Sequence, residues 1–578
     1  MALNAVIDPT TPKWHQDLAR RVLRPKAPTT IASFDSFSDL PAAVDYPASI
    51  AYAGGQSFIS DGVIWNPIGF DGFRVPPSGK STTDDSALIM ATIADALAAG
   101  VNSVVAPDVG TPWIIDQIVP GAVNLEFRGG VKWKDSATGP AITISSGSLT
   151  ICGEIDGNEA NNAARITAKT PFIKTDHSTA PTIDLSRSTA VNVPSALVFT
   201  DEFSPDGSLF MPSLATDSSG KGQFVAICCK GWRVWGVNTR NVCNADGWVV
   251  RVGHFNTQDR SEDITDVKVI APIIIGNDNG DSTSGSGILC ELDAKDVEVV
   301  GPTLKKLYAP MKVESEASAP GCNVDGATFT DIDVEDMYAT ALTFSLKGSR
   351  VRITGKWRGQ GIAELGDDAY WDVDSNGGGV SAEPVIKCRG LRPRVYGRII
   401  DPLQDGVKTE AGADYAKIDV FVSGCTTDCV DLNAVKGRVS LEVEGSPAVG
   451  VRIRSGATSC KVDPDSYFDN ATVAVSSAVT DTSSRYRPFA TTTRTIDANG
   501  TVTGSQNGPY VKLAGTYTAP RTMTLNVTGS GEGDNFIFYF TGSGSSWNIG
   551  GLHTLPAGEW CEVVLNTGTW ELVRHGTI

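Results

Sequence analysis

The stretch "SGILCELDAKDVEVVG" (residues 286–301) decides how this chain folds. A small turn runs into a short strand-like run in which Ile288, Cys290 and Leu292 alternate with Leu289 and Glu291. A second apolar run, Val297, Val299 and Val300, follows within a few residues. Strand side chains alternate between faces, so this reading buries Cys290 and Leu292 and sends Glu291 outward. The same text returns as "DGWVVRVG" (246–253), "APMKVESE" (309–316), "ATALTFSL" (339–346), "DGVKTEAG" (405–412), "DCVDLNA" (428–434) and "VGVRIRS" (449–455). Each is a small turn followed by alternating apolar and polar residues, at spacings of about 20 to 40 residues. A unit of that length cannot bury its own apolar face, so the units stack into a solenoid. With strands and almost no helix, the solenoid reads as a parallel β-helix whose rungs lie about 4.8 Å apart.

Composition agrees with an all-β globular chain. Its 578 residues exceed one compact core, and its 60 glycines sit largely in turns between β-branched runs. The formal net charge of −18 argues against a nucleic-acid binder, which shows a basic stripe. No apolar run reaches the roughly 18 residues of a membrane span, and "MALNAVIDPTTPKWHQDLARR" lacks the apolar core of a secretion signal. The eleven cysteines are an odd number without metal-type clustering. Cys152, Cys290, Cys322 and Cys388 fall within strand-like runs, where a thiol serves as a small buried hydrophobe, and are read as reduced.

Outward from the repeats, five regions emerge. Residues 1–30 form a proline-interrupted arm, and 31–75 a small β module with a Ser-Asp-Gly turn before a tryptophan strand. Residues 76–100 hold the clearest helix, "TTDDSALIMATIADALAAG". Thr83 and Asp84 are its cap candidates, Ala87, Met90, Ile93 and Leu97 recur at helical spacing, and Gly100 closes it. Residues 101–484 form the β-helix, with a Ser/Thr/Pro/Asp-rich insertion over 160–222. Residues 485–578, with longer strands and hairpin turns such as "NTGTW", read as an antiparallel β-sandwich.

This layout resembles the tailspike proteins of tailed bacteriophages. The resemblance rests on "TTDDSALIMATIADALAAG" followed by "VNSVVAPDVGTPWIID", and on "ICGEIDGNEANNA" (151–163), which is similar to a rung of pectinase-like β-helices. It implies a right-handed parallel β-helix homotrimer with an N-terminal virion-binding module. Such a protein is made in the host cytoplasm and carried on the virion tail, attached to tail or baseplate through the arm. It binds and depolymerises a bacterial surface polysaccharide, O-antigen or capsule. Endo-glycosidic hydrolysis is the expected reaction, without a required cofactor; a polysaccharide lyase or a non-enzymatic receptor-binding fibre is the alternative. The catalytic set of polygalacturonases is absent; "GNDNGD" (276–281) is only a loose echo of it.

Aligned by apolar alternation, Arg251, Glu291, Glu314 and Ser345 share the outward face. Glu291 and Glu314 are about one rung apart, which suits paired carboxylates roughly 5 Å apart. Asp278 and Asp281, in the adjoining turn, are the rival catalytic acids; turn chemistry alone also explains them. Arg251 and His254 flank this face as substrate-binding groups, or as charge partners of Glu291. Trp232, Trp235, Trp357 and Trp371 are candidate sugar-stacking surfaces or core aromatics. "DVDSNGGGVSAE" (372–383) has the spacing of a calcium loop, with Asp372, Asp374, Asn376 and Glu383 as ligands of a structural Ca2+.

Overall fold

The computed structural model describes short strands between residues 30 and 67, and residues 73–578 apart from internal stretches, the longest being 163–169, 217–223, 255–262, 278–284, 314–323, 478–484 and 504–509. The chain divides into two compact units, residues 1–238 and 239–578. Both are dominated by β-strands, and the solenoid reading holds in its main feature: short strands stack in parallel register into long sheets, the arrangement of a parallel β-helix. Among the described residues no helix is long and apolar enough to cross a membrane.

In the first unit, the strands Thr30–Phe34, Ile50–Ala53, Gln56–Ser60 and Trp65–Pro67 form one small sheet, the last two antiparallel; the Asp-Gly of the expected turn lies outside the described residues. The helix spans Ser86–Ala98. It buries Ile89, Thr92, Ile93 and Ala96, a face turned about one residue from the expected one, and Leu97 is left exposed. Packing on Phe73–Arg74 and Ser103–Ala106 selects that face. The cap residue is Asp85. Its carboxylate accepts the backbone N–H of Ser81 at 2.5 Å and of Ile114 at 2.9 Å, which pins the helix to the stack. Gly100 takes the left-handed conformation that ends the helix.

The segment 160–222 is not an insertion. Ile173–Thr175 pairs in parallel with Ile142–Ile144 and with Val198–Phe199. Thr182–Val191 pairs with Ser148–Asp156, Ser208–Phe210 and Leu214–Thr216. Its apolar residues Ile183, Leu185, Ala190 and Leu209 are buried, and so are several of its polar ones, among them Thr175, Ser178, Ser188, Thr200 and Ser204.

In the second unit the strand Ser286–Cys290 lies between Trp248–Val252 and Ala309–Val313. The inward column runs Val250, Ile288, Met311, Phe344, Ala363, Ile386, Val407, Val430 and Val451, each registered with the next. All nine are buried. At the turn after these strands a second column sits in the left-handed region: Asp296, Arg350, Asp368, Arg392, Tyr415 and Lys436, with Gly326. Each donates its backbone N–H to the next rung, as in Arg350 to Asp367 and Lys436 to Thr458. Backbone satisfaction thus holds charged residues where glycine is the easier choice. The cysteines follow the expectation where described. Cys290 and Cys388 are buried free thiols, and burial pushes both up to about 12. Cys152 is half-buried, and Cys322 lies outside the described residues.

The C-terminal region departs from the antiparallel sandwich. Thr492–Arg494, Tyr510–Leu513 and Asn535–Phe540 pair in parallel, as do Gly500–Thr503, Arg521–Asn526 and Trp547–Ile549. It is a second short parallel stack around Tyr517, Phe536, Phe538, Phe540 and Trp547. Only its end is antiparallel: His553–Leu555, Glu559–Asn566 and Thr569–Thr577 close it. The "NTGTW" turn is the hairpin expected, with Thr567 and Gly568 both left-handed. A closing hairpin and a parallel rung share the same alternation, so alternation alone does not distinguish them.

Candidate functional site

Arg251 stands on the outward row of its strand, and its registered neighbours are Leu289, Lys312 and Ser345. Beyond them come Glu364, Lys387, Lys408, Asp431 and Arg452. Arg251 and Ser345 therefore share a row as expected, whereas Glu291 does not belong to it. The expected alignment was displaced by two residues, because every residue of Ser286–Cys290 is buried and apolar alternation gave no register there. Glu291 is the residue that leaves the strand. Cys290 registers with Val313, so Glu291 and Glu314 each follow an equivalent strand end on successive rungs. Glu314, Asp278 and Asp281 lie outside the described residues.

At that strand end Arg251 Nη2 meets Glu291 Oε1 at 2.5 Å, with side-chain exposures of only 11% and 16%. The same guanidinium donates to the His254 carbonyl oxygen at 3.1 Å. His254 is buried, at 2% exposure, and its backbone N–H donates to the Leu292 carbonyl. The turn is tight. A Cβ on Gly253 would stand 2.2 Å from the Glu291 carbonyl oxygen. Leu292 and Asp293 both adopt positive φ, of 45° and 64°. A bulky leucine in that region is uncommon and marks a turn held by its surroundings. The arrangement offers a sheltered carboxylate, oriented by an arginine, where two rungs turn. His254 contributes its backbone to this site, since its side chain is enclosed.

The expected aromatic surface is mostly core. Trp232, Trp357 and Trp371 are fully buried. Trp357 and Trp371 pack edge-on against each other and against Phe344. Trp232 lies against Gly207, where a Cβ would clash at 2.4 Å, and its indole N–H donates to the Ser204 carbonyl. Trp235 alone of the four is half-exposed, stacked on Phe210 at 4.6 Å between ring centroids. Large apolar rings win the inward positions because these bury the most area.

Three of the four expected calcium ligands do not converge as in a calcium loop. Asp372, Asp374 and Asn376 lie along one extended strand, Tyr370–Asn376, so they stand in a line instead of converging. Glu383 pairs with Lys387 at 3.1 Å. Motif spacing matched, but period-two alternation on a stacked rung overrides loop geometry.

Three clusters went unread in the sequence. Asp405, Asp428 and Asp431 hold carboxylate oxygens within 4.8 Å of one another. Arg452 forks onto Asp428, and Arg454 onto Asp431 with two contacts of 2.8 Å. Their signal was available: "DCVD" and "VRIR" repeat one rung apart. In the first unit His177 stacks on Phe203 at 4.6 Å, both exposed, with its Nδ1 3.1 Å from Asp176 Oδ1. Near the C-terminus His553, Glu559 and His575 come together. These last contacts join separate turns, which sequence spacing does not reveal. No protein-family profile matches the chain, and no curated protein matches it in sequence.

Proposed function

We propose that this chain is a homotrimeric tailspike that binds and depolymerises a bacterial surface polysaccharide by endo-glycosidic hydrolysis, carried on the virion tail through its N-terminal module. The observation that carries this reading is the sheltered Arg251–Glu291 pair at the end of a rung. A carboxylate spread into solvent on a strand face has only a solvating role. One that leaves the ladder, is oriented by a guanidinium and is shielded from water supports a reading in which it works on a glycosidic oxygen. Glu314, at the equivalent strand end one rung on, is the proposed partner. One of the two gives a proton to the leaving oxygen, and the other acts as nucleophile or as base toward water. Trp235 stacked on Phe210 supplies an aromatic platform of the kind that sugars pack against. The buried His254 side chain weighs against a lyase that uses it to abstract a proton.

The test is incubation of purified protein with capsule and O-antigen preparations from a panel of bacteria. Hydrolysis predicts falling viscosity with new reducing ends. An unsaturated uronate chromophore instead establishes a lyase. Retention of intact glycan without cleavage establishes a binding fibre. Light scattering at micromolar concentration is expected to give three chains per particle, and a monomer mass contradicts the trimer.

A further inference from the structure

The chain has only five histidines, and two of them face each other near its C-terminus. The His553 and His575 rings lie 4.5 Å apart at 30°. Glu559 joins them, and one donor atom from each of the three lies within 4.8 Å of the others. They come from three consecutive strands: His553 opens His553–Leu555, Glu559 opens Glu559–Asn566, and His575 lies on Thr569–Thr577. His553 Nε2 is buried and has no hydrogen-bond partner among the described residues. A buried ring nitrogen normally has one.

We propose that His553, Glu559 and His575 form a binding site for a divalent transition metal of the zinc class. Two imidazole nitrogens and one carboxylate oxygen select zinc, cobalt or nickel over the oxygen-seeking calcium and magnesium. Bonds of about 2.0–2.1 Å place tetrahedral donors about 3.4 Å apart, so the three groups close in by at most about 1.4 Å from the 4.8 Å within which they lie. Glu559 and His575 are partly or fully exposed and have room to do so. A fourth position stays open to water. The site's role is structural. Thr569–Thr577 is the edge strand of its sheet, paired on one side only, and the metal ties it to the turn around His553.

The experiment uses the full chain, without an affinity tag, stripped with a chelator and titrated with zinc chloride at neutral pH. One zinc per chain is expected, with a thermal midpoint that rises as zinc is added. Cobalt(II) in place of zinc is expected to give the visible bands of a four-coordinate site. His575→Gln, at an exposed position, is expected to weaken zinc binding by at least the ~10–100-fold that loss of an outer-shell partner costs. His553→Gln is expected to do the same. Should His553→Gln fail to fold, His575→Gln and the cobalt spectrum still decide. Substoichiometric zinc, or equal binding by wild type and His575→Gln, overturns the proposal.

Discussion

Two carboxylate sites on the same sheet of residues 239–578 handle charge in different ways. Around Asp428 and Asp431 the carboxylates stand inside a strand, and each receives a guanidinium fork from the next rung. Both oxygens of each are occupied, so these groups are committed to holding rungs together. Glu291 stands just past its strand, beside a turn with two consecutive left-handed residues, and its arginine comes from the preceding rung. The difference teaches how to sort acidic residues on a stacked β fold. An acid within the ladder, forked by an arginine of the next rung, is architecture. An acid that leaves the ladder at a sheltered turn and meets one arginine, as Glu291 meets Arg251, is the better place to look for chemistry.

The comparison has sharp consequences for stability. Trp371→Ala, beneath the ladder and fully buried, is expected to cost about 3–5 kcal/mol, read from denaturant unfolding. A cost under about 1 kcal/mol would mean that the aromatic cluster with Phe344 and Trp357 is not the core it resembles. Arg454→Ala leaves Asp431, at 1% side-chain exposure, without its fork, and is expected to cost about 3 kcal/mol. Lys295→Ala breaks the exposed pair with Asp263 and is expected to change stability by less than about 1 kcal/mol. Equal effects from these two would erase the distinction between ladder and surface pairs. The smallest effect concerns acid. The hydrogen-bonded Arg350 and Arg392 guanidiniums hold the Asp325 and Asp368 carboxyls below the usual carboxylate range. Their contribution is present above the unfolded pKa, near 4, and is lost as pH falls through the lower folded value. A melting temperature that rises below pH 4 would contradict this.

Much of the fold was legible because stacking repeats one demand. Every rung needs an apolar residue at the inward column, and Val250, Met311, Val430 and Val451 announce it. Register was less legible. Ser286–Cys290 is buried along its whole length, so nothing polar marked the outward side, and Glu291 was set two residues out of row. Composition misled at 160–222, where Ser and Thr hid Ile183 and Leu185. It misled again at the C-terminus, where the closing hairpins made a parallel stack read as a sandwich. The candidate site was legible in part: Arg251 and Glu291 do meet, but through a turn contact and not as ladder neighbours. The calcium motif and three of the four tryptophans failed for one reason. Residue type and spacing do not report which way a strand faces.

The most direct test of the proposed hydrolysis sets Glu291 against Asp431, on a surface polysaccharide whose viscosity the purified protein lowers. Reducing-end release and thermal stability are measured for Glu291→Gln and Asp431→Asn beside wild type. The account predicts that Glu291→Gln melts like wild type and loses about 10²–10⁴ in turnover while still binding glycan. It predicts that Asp431→Asn melts lower and keeps its turnover where folded. Near wild-type turnover by Glu291→Gln, with activity abolished in a folded Asp431→Asn, would contradict it and move the chemistry onto the ladder.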